Sequence, residues 1–340
     1  MDYSDIPFWA SLTLIVGGLA ALAWSSDKFI EGAAALARAF GVSPFIVGMV
    51  IIGFGTSAPE LCVSVMSGVS GHANLSLGNA YGSCTFNIAA ILGIAALIHP
   101  LVMRPVTTLV SSLCLAAITT FSLFILSDGD CTRLDGGILL FMFVAVMLLY
   151  CLFDKGKKNE CACQEQGSKS SPKVIAAALS VVIGLSVLIG SSHLLVWGSV
   201  DLARFLGVSD LMIGLTVIAI GTSLPELASA IAAARHGENE FVLGNIIGSN
   251  IFNTLAVVGL ATLIGPINNA ANGASHCFSP YILSRDLPVM LGLSLSIAIF
   301  GINWRKPREI TKVGAIKGFI WILIYVIYTV ITVMQEGKAY

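Results

Sequence analysis

Charge is scarce in this sequence. Asp, Glu, Lys and Arg make up 11% of its 340 residues, against roughly 25% in an ordinary soluble domain. The 18 Lys and Arg nearly balance the 19 Asp and Glu, so the net charge is −1. So few charged side chains cannot cover a water-exposed surface, which excludes a soluble globular enzyme. The missing basic excess also excludes a nucleic-acid partner, because phosphates are bound by Lys and Arg.

Nucleotide-binding and disulfide patterns are also missing. No GxxxxGK[ST] phosphate loop occurs, so nothing in the chain indicates ATP hydrolysis. The eight Cys follow no regular spacing, and the role of Cys161 and Cys163, in a polar segment without further ligands, stays open. Cys131 and Cys277 fall in two predicted outer loops, and the sequence does not decide whether they pair. No segment indicates an obligate protein partner.

Long apolar runs dominate instead. Hydrophobic residues make up 56% of the chain, and lipid admits only helices or closed β-barrels as spanning structures. Barrel strands would be about 10 residues long with alternating polarity, whereas these runs reach about 20 residues, the length of a transmembrane helix. The sequence therefore predicts an all-α polytopic membrane protein with ten transmembrane helices. They are expected near residues 9–27, 43–68, 75–98, 106–127, 134–153, 174–197, 209–233, 241–264, 286–303 and 314–334.

The distribution of Lys and Arg predicts the orientation. With the N-terminus outside, 14 of the 18 Lys and Arg fall on the cytoplasmic side, as the positive-inside rule requires. We therefore expect a multi-pass protein of the plasma membrane, embedded in the lipid bilayer, with both termini outside and the polar linker 154–173 in the cytoplasm. The first run is too long, and too poor in basic residues at its start, for a cleaved signal peptide.

The chain contains an internal repeat. A shift of 166 residues aligns 36–100 with 202–266, with 28 identities in 65 positions and no gap. We expect a first half at 1–153 and a second half at 174–340, each with five spans. Because five is odd, the second half is expected to enter the membrane with the opposite orientation. This arrangement is an inverted repeat, the architecture of secondary transporters that work by alternating access.

Each half has one isolated acid in an apolar run. Glu60 is the only charged residue within 39–103, and Glu226 is the only one within 211–234. A carboxylate at that depth costs at least a few kcal/mol on insertion scales. A protonated Glu hydrogen-bonded to a neighbouring helix is one interpretation. The matched occurrence in both halves favours the other, a cation-binding carboxylate.

Each Glu ends a matching segment, GTSAPE at 55–60 and GTSLPE at 221–226. The Pro before each Glu removes a backbone donor and kinks the helix. We therefore expect helices broken at mid-membrane, where transporters place their ions, with freed backbone carbonyls near residues 55 and 221 that can point at a ligand. A kink alone needs Pro and Gly but not Thr, Ser and Glu.

A second pair of motifs follows, GNAYGSCTFN at 78–87 and GNIIGSNIFN at 244–253. Their Asn and Ser recur every four residues and form one polar stripe on each apolar helix. The stripes are Asn79, Ser83 and Asn87 in the first half and Asn245, Ser249 and Asn253 in the second. Interhelical hydrogen bonding is one interpretation, above all for the first Asn of each stripe. For the Ser and the last Asn of each stripe we favour cation ligation.

The ligands on offer are all oxygens. Carboxylates, carboxamides, hydroxyls and carbonyls suit a hard cation, and Ca²⁺ takes about six to eight such ligands. No His lies in these motifs and no Cys recurs at matching motif positions, which disfavours zinc and copper. Two Glu balance one Ca²⁺, and Na⁺ can use the same oxygens after Ca²⁺ leaves, so competition for shared ligands makes exchange obligatory. No cofactor is expected.

At these residues the sequence resembles the cation/calcium antiporter superfamily, in particular its prokaryotic sodium/calcium exchanger branch. The paired GTSxPE and GNxxGSxxFN segments carry the resemblance, which covers both halves. It implies ten spans, an inverted five-plus-five fold and Na⁺-driven Ca²⁺ movement across the plasma membrane. Carried over by position, the implied ion ligands are Thr56, Ser57, Glu60, Ser83, Asn87, Thr222, Ser223, Glu226, Ser249 and Asn253. The carbonyls of Gly53 and Ala219 are further candidates.

Two positions depart from the family pattern. Many related exchangers carry Asp where Asn253 stands; here both halves present Asn, which removes a charge and leaves the stoichiometry and the coupling ion open. Cys84 stands where the second half has Asn250, and we expect it beside the ligands rather than among them.

Other functions remain as alternatives. Ca²⁺/H⁺ exchange, with Glu60 and Glu226 as proton carriers, differs from Ca²⁺/Na⁺ exchange only in the coupling ion. An ion channel rarely needs two broken helices of inverted polarity. An intramembrane enzyme with a Glu general base is disfavoured, because no His or Arg accompanies either Glu in its motif to handle a leaving group.

Overall fold

The protein is a bundle of long helices. The structure, a computed structural model, describes residues 8–69, 73–161, 171–206, 219–265 and 278–336. The helices are α1 (Phe8–Phe40), α2 (Pro44–Thr56), α3 (Ala58–Val69), α4 (Ala73–Ile98), α5 (Pro105–Ile125), α6 (Arg133–Cys161), α7 (Ser171–Phe205), α8 (Ala219–Thr222), α9 (Leu224–Arg235), α10 (Asn239–Ile264), α11 (Ile282–Gly301) and α12 (Ala315–Glu336).

The described helices fit a polytopic membrane protein. Eight of them contain apolar segments long enough to cross a membrane, namely α1, α4, α5, α6, α7, α10, α11 and α12. The pair α2 and α3 is bent by 47° at Ser57 and makes a ninth candidate span. The predicted span 209–233 coincides with α8 and α9 only in part, because residues 207–218 lie outside the described residues.

Three helices run past the predicted ends of their spans. Helix α1 continues to Phe40, beyond the predicted end of its run at residue 27. The added turns contain the buried Phe29 and Ile30 and an ion pair of 2.8 Å between Lys28 and Glu31, one turn apart, and both kinds of contact stabilise a helix. Helices α6 and α7 both extend into the predicted linker 154–173. The rest of that linker, with Cys163, lies outside the described residues, as does Cys277.

A short sheet, which the sequence did not predict, joins the two halves. Strand β1 (Leu101–Met103) pairs antiparallel with β2 (Thr311–Val313), with Leu101 opposite Val313. On the predicted orientation both strands lie at the cytoplasmic side. Beside them, the Arg104 guanidinium lies 2.8 Å from the Glu240 carboxylate at the start of α10. The halves are thus held together by a strand pair and an ion pair as well as by helix packing.

Helices α2 and α10 cross with their backbones in contact. A Cβ on Gly244 would lie 2.3 Å from the Phe45 carbonyl oxygen, and one on Gly248 would lie 2.3 Å from that of Met49. Small residues at membrane helix crossings allow such close approach. Because α2 belongs to the first half and α10 to the second, this crossing presents the break after α2 to the polar stripe of the opposite half.

Helices α1 and α7 show the repeat in their packing. A Cβ on Gly32 of α1 would lie 2.9 Å from the Ala177 carbonyl oxygen of α7, and one on Gly198 of α7 would lie 2.8 Å from that of Ser11 in α1. Gly32 and Gly198 are 166 residues apart, so the shift that relates the central motifs also relates the outer helices. The Ser11 hydroxyl also donates to the buried Asp201 carboxylate.

Replacing Gly248 with alanine tests the crossing of α2 and α10. The helices must separate to admit the methyl group, and overpacking of this kind costs about 1–3 kcal/mol. We expect a lower melting temperature for the purified protein in detergent. Gly292→Ala in α11 is the matched control, since an added Cβ there meets nothing within 4 Å among the described residues. Equal melting of the two variants would contradict the close crossing.

Candidate cation-binding site

Two serines lie where the central helices break. Ser57, between α2 and α3, has φ −82° and ψ 10°, and Ser223, between α8 and α9, has φ −92° and ψ 9°. The same backbone shape recurs because each break precedes a proline, Pro59 or Pro225, that cannot donate to the preceding turn. The predicted breaks are therefore present, with matching geometry in the two halves.

Each glutamate begins the helix that follows its break. Glu60 lies in the first turn of α3 and Glu226 in the first turn of α9, where the unpaired N–H groups of a helix favour negative charge. Their exposed fractions are 0% and 1%. The two buried carboxylates also repel each other. Both groups therefore need stabilising partners within the protein.

Serines of the opposite half supply those partners. The Ser223 hydroxyl donates to Oε1 of Glu60 and the Ser57 hydroxyl donates to Oε1 of Glu226, both at 2.8 Å. Ser223 also lies 3.1 Å from the Ser83 hydroxyl on α4. Oε2 of each glutamate is buried and has no hydrogen-bond partner among the described residues. Each carboxylate thus keeps one oxygen for a ligand.

The first asparagine of each stripe connects the two halves. Asn245 donates through Nδ2 to the Glu226 carbonyl at 3.4 Å and to the Ser229 hydroxyl at 3.1 Å, while its Oδ1 accepts from the Thr56 hydroxyl at 3.4 Å. Asn79 repeats this arrangement with the Glu60 carbonyl, Ser64 and the Thr222 hydroxyl. The interpretation of these two asparagines as interhelical hydrogen-bonding residues agrees with these contacts.

The last asparagine of each stripe is buried beside a phenylalanine that packs on other helices. Phe86 packs edge-on against Tyr325 of α12, and Phe252 packs against Phe143 of α6, with ring centroids 5.2 and 5.7 Å apart. Asn87 and Asn253, next in sequence, are fully buried and lie in π-helical turns, Asn87–Ile91 and Phe252–Val257. Such turns are common at functional sites. Each FN dipeptide thus packs its phenylalanine on neighbouring helices, Phe252 also on Phe54 of α2 at 4.6 Å, and leaves its asparagine fully buried.

One of the two backbone carbonyls that the prolines free has a hydroxyl partner. The Gly221 carbonyl, which Pro225 cannot bond, accepts from the Ser192 hydroxyl of α7 at 3.0 Å. The Gly53 carbonyl, a further candidate that no proline frees, accepts from the Ser57 N–H at 3.3 Å and from the Ser249 hydroxyl at 3.2 Å. Buried carbonyls need hydrogen bonds, and neighbouring hydroxyls supply them. Sequence reasoning missed Ser192, although the shift of 166 pairs it with Ser26.

All ten predicted site residues are buried. Hydrogen bonds join Glu60, Ser83 and Ser223 into one group and Ser57 and Glu226 into another. Thr56 and Thr222 each contact the asparagine of the opposite half, whereas Asn253 has no hydrogen-bond partner among the described residues. Within those residues, no three His, Cys, Asp or Glu side chains are grouped to hold a metal ion. The helix breaks thus bring together two carboxylates, surrounded by hydroxyl and amide oxygens.

Known proteins share this sequence pattern and architecture. The profile of the sodium/calcium exchanger protein family matches residues 10–152 and 176–334. The putative antiporter CaxA of Alkalimonas amylolytica is 37% identical over 319 residues, covering 92% of this chain and 96% of that protein. The inner membrane protein YrbG of Escherichia coli is 35% identical, with 90% and 94% covered. The sodium-calcium exchanger NCX_Mj, soaked with 10 mM Na⁺ and 10 mM Sr²⁺, superposes with a TM-score of 0.78 at 28% identity, covering 94% of this chain and 98% of that chain.

Cation binding is testable without a transport assay. A ligand that binds only the folded protein stabilises it by about 2.7 kcal/mol at a concentration near 100 Kd. We expect Ca²⁺ to raise the melting temperature of the purified protein and a chelator to reverse the rise. Glu60→Gln keeps the side-chain shape but halves the central charge, so this variant should melt at the same temperature with and without Ca²⁺. A full Ca²⁺-dependent rise in Glu60→Gln would contradict the site.

Proposed function

The chain belongs to the sodium/calcium exchanger protein family, and we propose that it is a secondary active antiporter that exchanges Ca²⁺ for Na⁺ across the plasma membrane by alternating access. One observation carries the proposal. Glu60 and Glu226, one from each half, are buried at the helix breaks, each bonded by a serine of the opposite half and each with one oxygen unpartnered among the described residues.

We propose an ion site built from oxygens of both halves. Its ligands are Thr56, Ser57, Glu60, Ser83 and Asn87 from the first half and Thr222, Ser223, Glu226, Ser249 and Asn253 from the second. The burial of all ten side chains supports this assignment. So does the donor chemistry, since carboxylate, amide and hydroxyl oxygens are the ligands that Ca²⁺ and Na⁺ take.

The charge of the site explains why transport is an exchange. Two carboxylates without a cation in a medium of low dielectric constant are costly to bury. A Ca²⁺ or Na⁺ ion lowers that cost, so the loaded protein changes conformation more readily than the ion-free protein. Ca²⁺ must therefore be replaced by another cation before the site returns to the first side. Protons on the glutamates would serve the same purpose, which makes Ca²⁺/H⁺ exchange the competing function.

The proposed architecture is ten transmembrane helices in two inverted five-helix repeats. The gapless alignment of 36–100 with 202–266 supports it. Further support comes from the matching backbone angles at Ser57 and Ser223 and from the reciprocal serine–glutamate hydrogen bonds. In such a fold the two halves exchange roles when access changes from one side of the membrane to the other.

Uptake of Ca²⁺ into proteoliposomes separates the coupling ions. With an outward Na⁺ gradient we expect rapid uptake that stops when the gradient is collapsed, because Na⁺ competes for the same oxygens. Glu226→Gln removes one of the two charges and should lower the initial rate by at least about tenfold, equivalent to 1.4 kcal/mol, while the protein still inserts and elutes as a monodisperse species.

The controls address the alternatives. Uptake driven by a pH gradient but not by Na⁺ would replace Na⁺ with H⁺ as the coupling ion. Ca²⁺ current without countertransport would indicate a channel and refute the antiporter. Ser186→Ala on α7 is a matched structural control and should transport at the parental rate. Within the described part of the chain, that hydroxyl bonds only to the Val182 carbonyl of its own helix, at 2.8 Å.

The proposed orientation places both termini outside and the linker 154–173 in the cytoplasm. In a chain otherwise free of cysteine, an impermeant maleimide should label Asp130→Cys in intact cells. Gln164→Cys should react only in inverted membrane vesicles, because the Lys-rich linker stays on the cytoplasmic side. The opposite labelling pattern would reverse the orientation.

A further inference from the structure

The two halves differ at one buried position beside the proposed ion ligands. The shift of 166 residues pairs Cys84 on α4 with Asn250 on α10, and both side chains are fully buried. The residues around them match, since Phe86 and Asn87 align with Phe252 and Asn253. The difference between Cys84 and Asn250 therefore lies inside an otherwise repeated arrangement, and it changes the hydrogen bonds of the neighbouring asparagines.

One role is common to both residues. Nδ2 of Asn250 donates to the Cys84 carbonyl at 3.3 Å, and the Cys84 thiol in turn lies 3.8 Å from the Asn250 carbonyl. Each side chain thus donates across the α4–α10 contact to the backbone of the other. A thiol is a weaker donor than an amide, but the Cys84 thiol faces the backbone of the opposite helix just as the Asn250 amide does.

Only Asn250 has a second role. Because its Nδ2 faces a carbonyl, its Oδ1 faces the other way, where it accepts from Nδ2 of Asn87 at 3.1 Å. The backbone carbonyl of Cys84 therefore fixes the orientation of both amides. The Asn87 oxygen must point away from Asn250, and it is buried without a hydrogen-bond partner among the described residues. Asn87 is held with its oxygen available.

Asn253 lacks the equivalent support. By the repeat, its amide should be fixed by the side chain at position 84, but a cysteine has no oxygen to accept from Nδ2. The Cys84 sulfur instead lies 3.5 Å from the Thr254 hydroxyl. Both Nδ2 and Oδ1 of Asn253 are buried without a partner among the described residues. Among the described residues, no hydrogen bond selects which end of the Asn253 amide faces the proposed ion.

We propose that Cys84 makes the ion site asymmetric, with Asn87 as a fixed oxygen ligand and Asn253 as a ligand whose amide is free to turn. An NH₂ group turned toward a cation repels it, so only the fraction of molecules with Oδ1 inward binds fully, and the apparent affinity falls by that fraction. Residue 84 thereby determines cation affinity without touching the ion. This inference depends on the proposed ligand roles of Asn87 and Asn253.

Cys84→Asn tests the inference by supplying the missing acceptor. The new Oδ1 should accept from Asn253 Nδ2, as Asn250 does for Asn87, and turn the Asn253 oxygen inward. One such hydrogen bond corresponds to about a 2- to 10-fold change, so we expect the half-saturating Ca²⁺ concentration for uptake to fall by that factor. The Ca²⁺ dependence of the melting temperature of the purified protein should shift by the same factor.

Two further variants keep the test decisive if the larger side chain fits poorly. Asn250→Cys is smaller and removes the acceptor that fixes Asn87, so it should raise the half-saturating Ca²⁺ concentration about 2- to 10-fold. Cys84→Ala removes the thiol without adding an acceptor and should leave that concentration at the parental value. Equal affinities for all three variants, or a shift in Cys84→Ala matching that of Cys84→Asn, would overturn the inference.

The outcomes also separate this inference from the proposed function. If the parent protein shows neither Ca²⁺-dependent melting nor Ca²⁺ uptake, the cation site itself is wrong. If the parent protein binds and transports Ca²⁺ but affinity does not respond to residues 84 and 250, only the asymmetry is wrong.

Discussion

The structure depends on burying two carboxylates in the middle of an apolar bundle. Neither half stabilises its own glutamate, because the serine that donates to Glu60 comes from the second half and the one that donates to Glu226 comes from the first. Removing the serine from such a bond leaves a buried carboxylate oxygen unsatisfied, which costs more than the hydrogen bond itself contributes. The two halves are therefore joined at the two carboxylates, the groups that are most costly to bury in an apolar bundle.

The rest of the central architecture serves this exchange of partners. Helices α2 and α8 each end one residue before their serine, because the proline two residues after the serine cannot donate to the preceding turn. The serine hydroxyl therefore faces the opposite half rather than its own helix. The glycines of α10 let α2 approach closely enough for Thr56 to reach Asn245. Phe86 and Phe252 pack against α12 and α6, and Asn87 and Asn253 beside them are fully buried. Each motif residue has a position that the others determine.

The sequence predicted the helices and the two central glutamates, because the patterns that indicate them are local or repeated in both halves. Apolar run length identified the helices, and the recurrence of Glu60 and Glu226 in matching motifs identified the centre. Contacts between elements were harder to predict. Nothing local indicates that Ser192 bonds the Gly221 carbonyl, or that β1 pairs with β2. Helix ends were also missed, because apolar composition marks where the lipid ends and not where hydrogen bonding along α1 and α7 ends.

The proposed transport cycle sets a limit on how far the two halves can diverge. If the halves exchange roles when access changes, the groups that hold the glutamates must work equally in both states, and the serine and asparagine contacts are indeed reciprocal. Position 84 is under a weaker constraint. Its shared task, donation to the backbone of the opposite helix, is met by a thiol in one half and by an amide in the other. The pair can therefore differ without separating the helices, and what changes is the freedom of one proposed ligand, Asn253. Affinity can vary at such a position while the repeated framework stays intact.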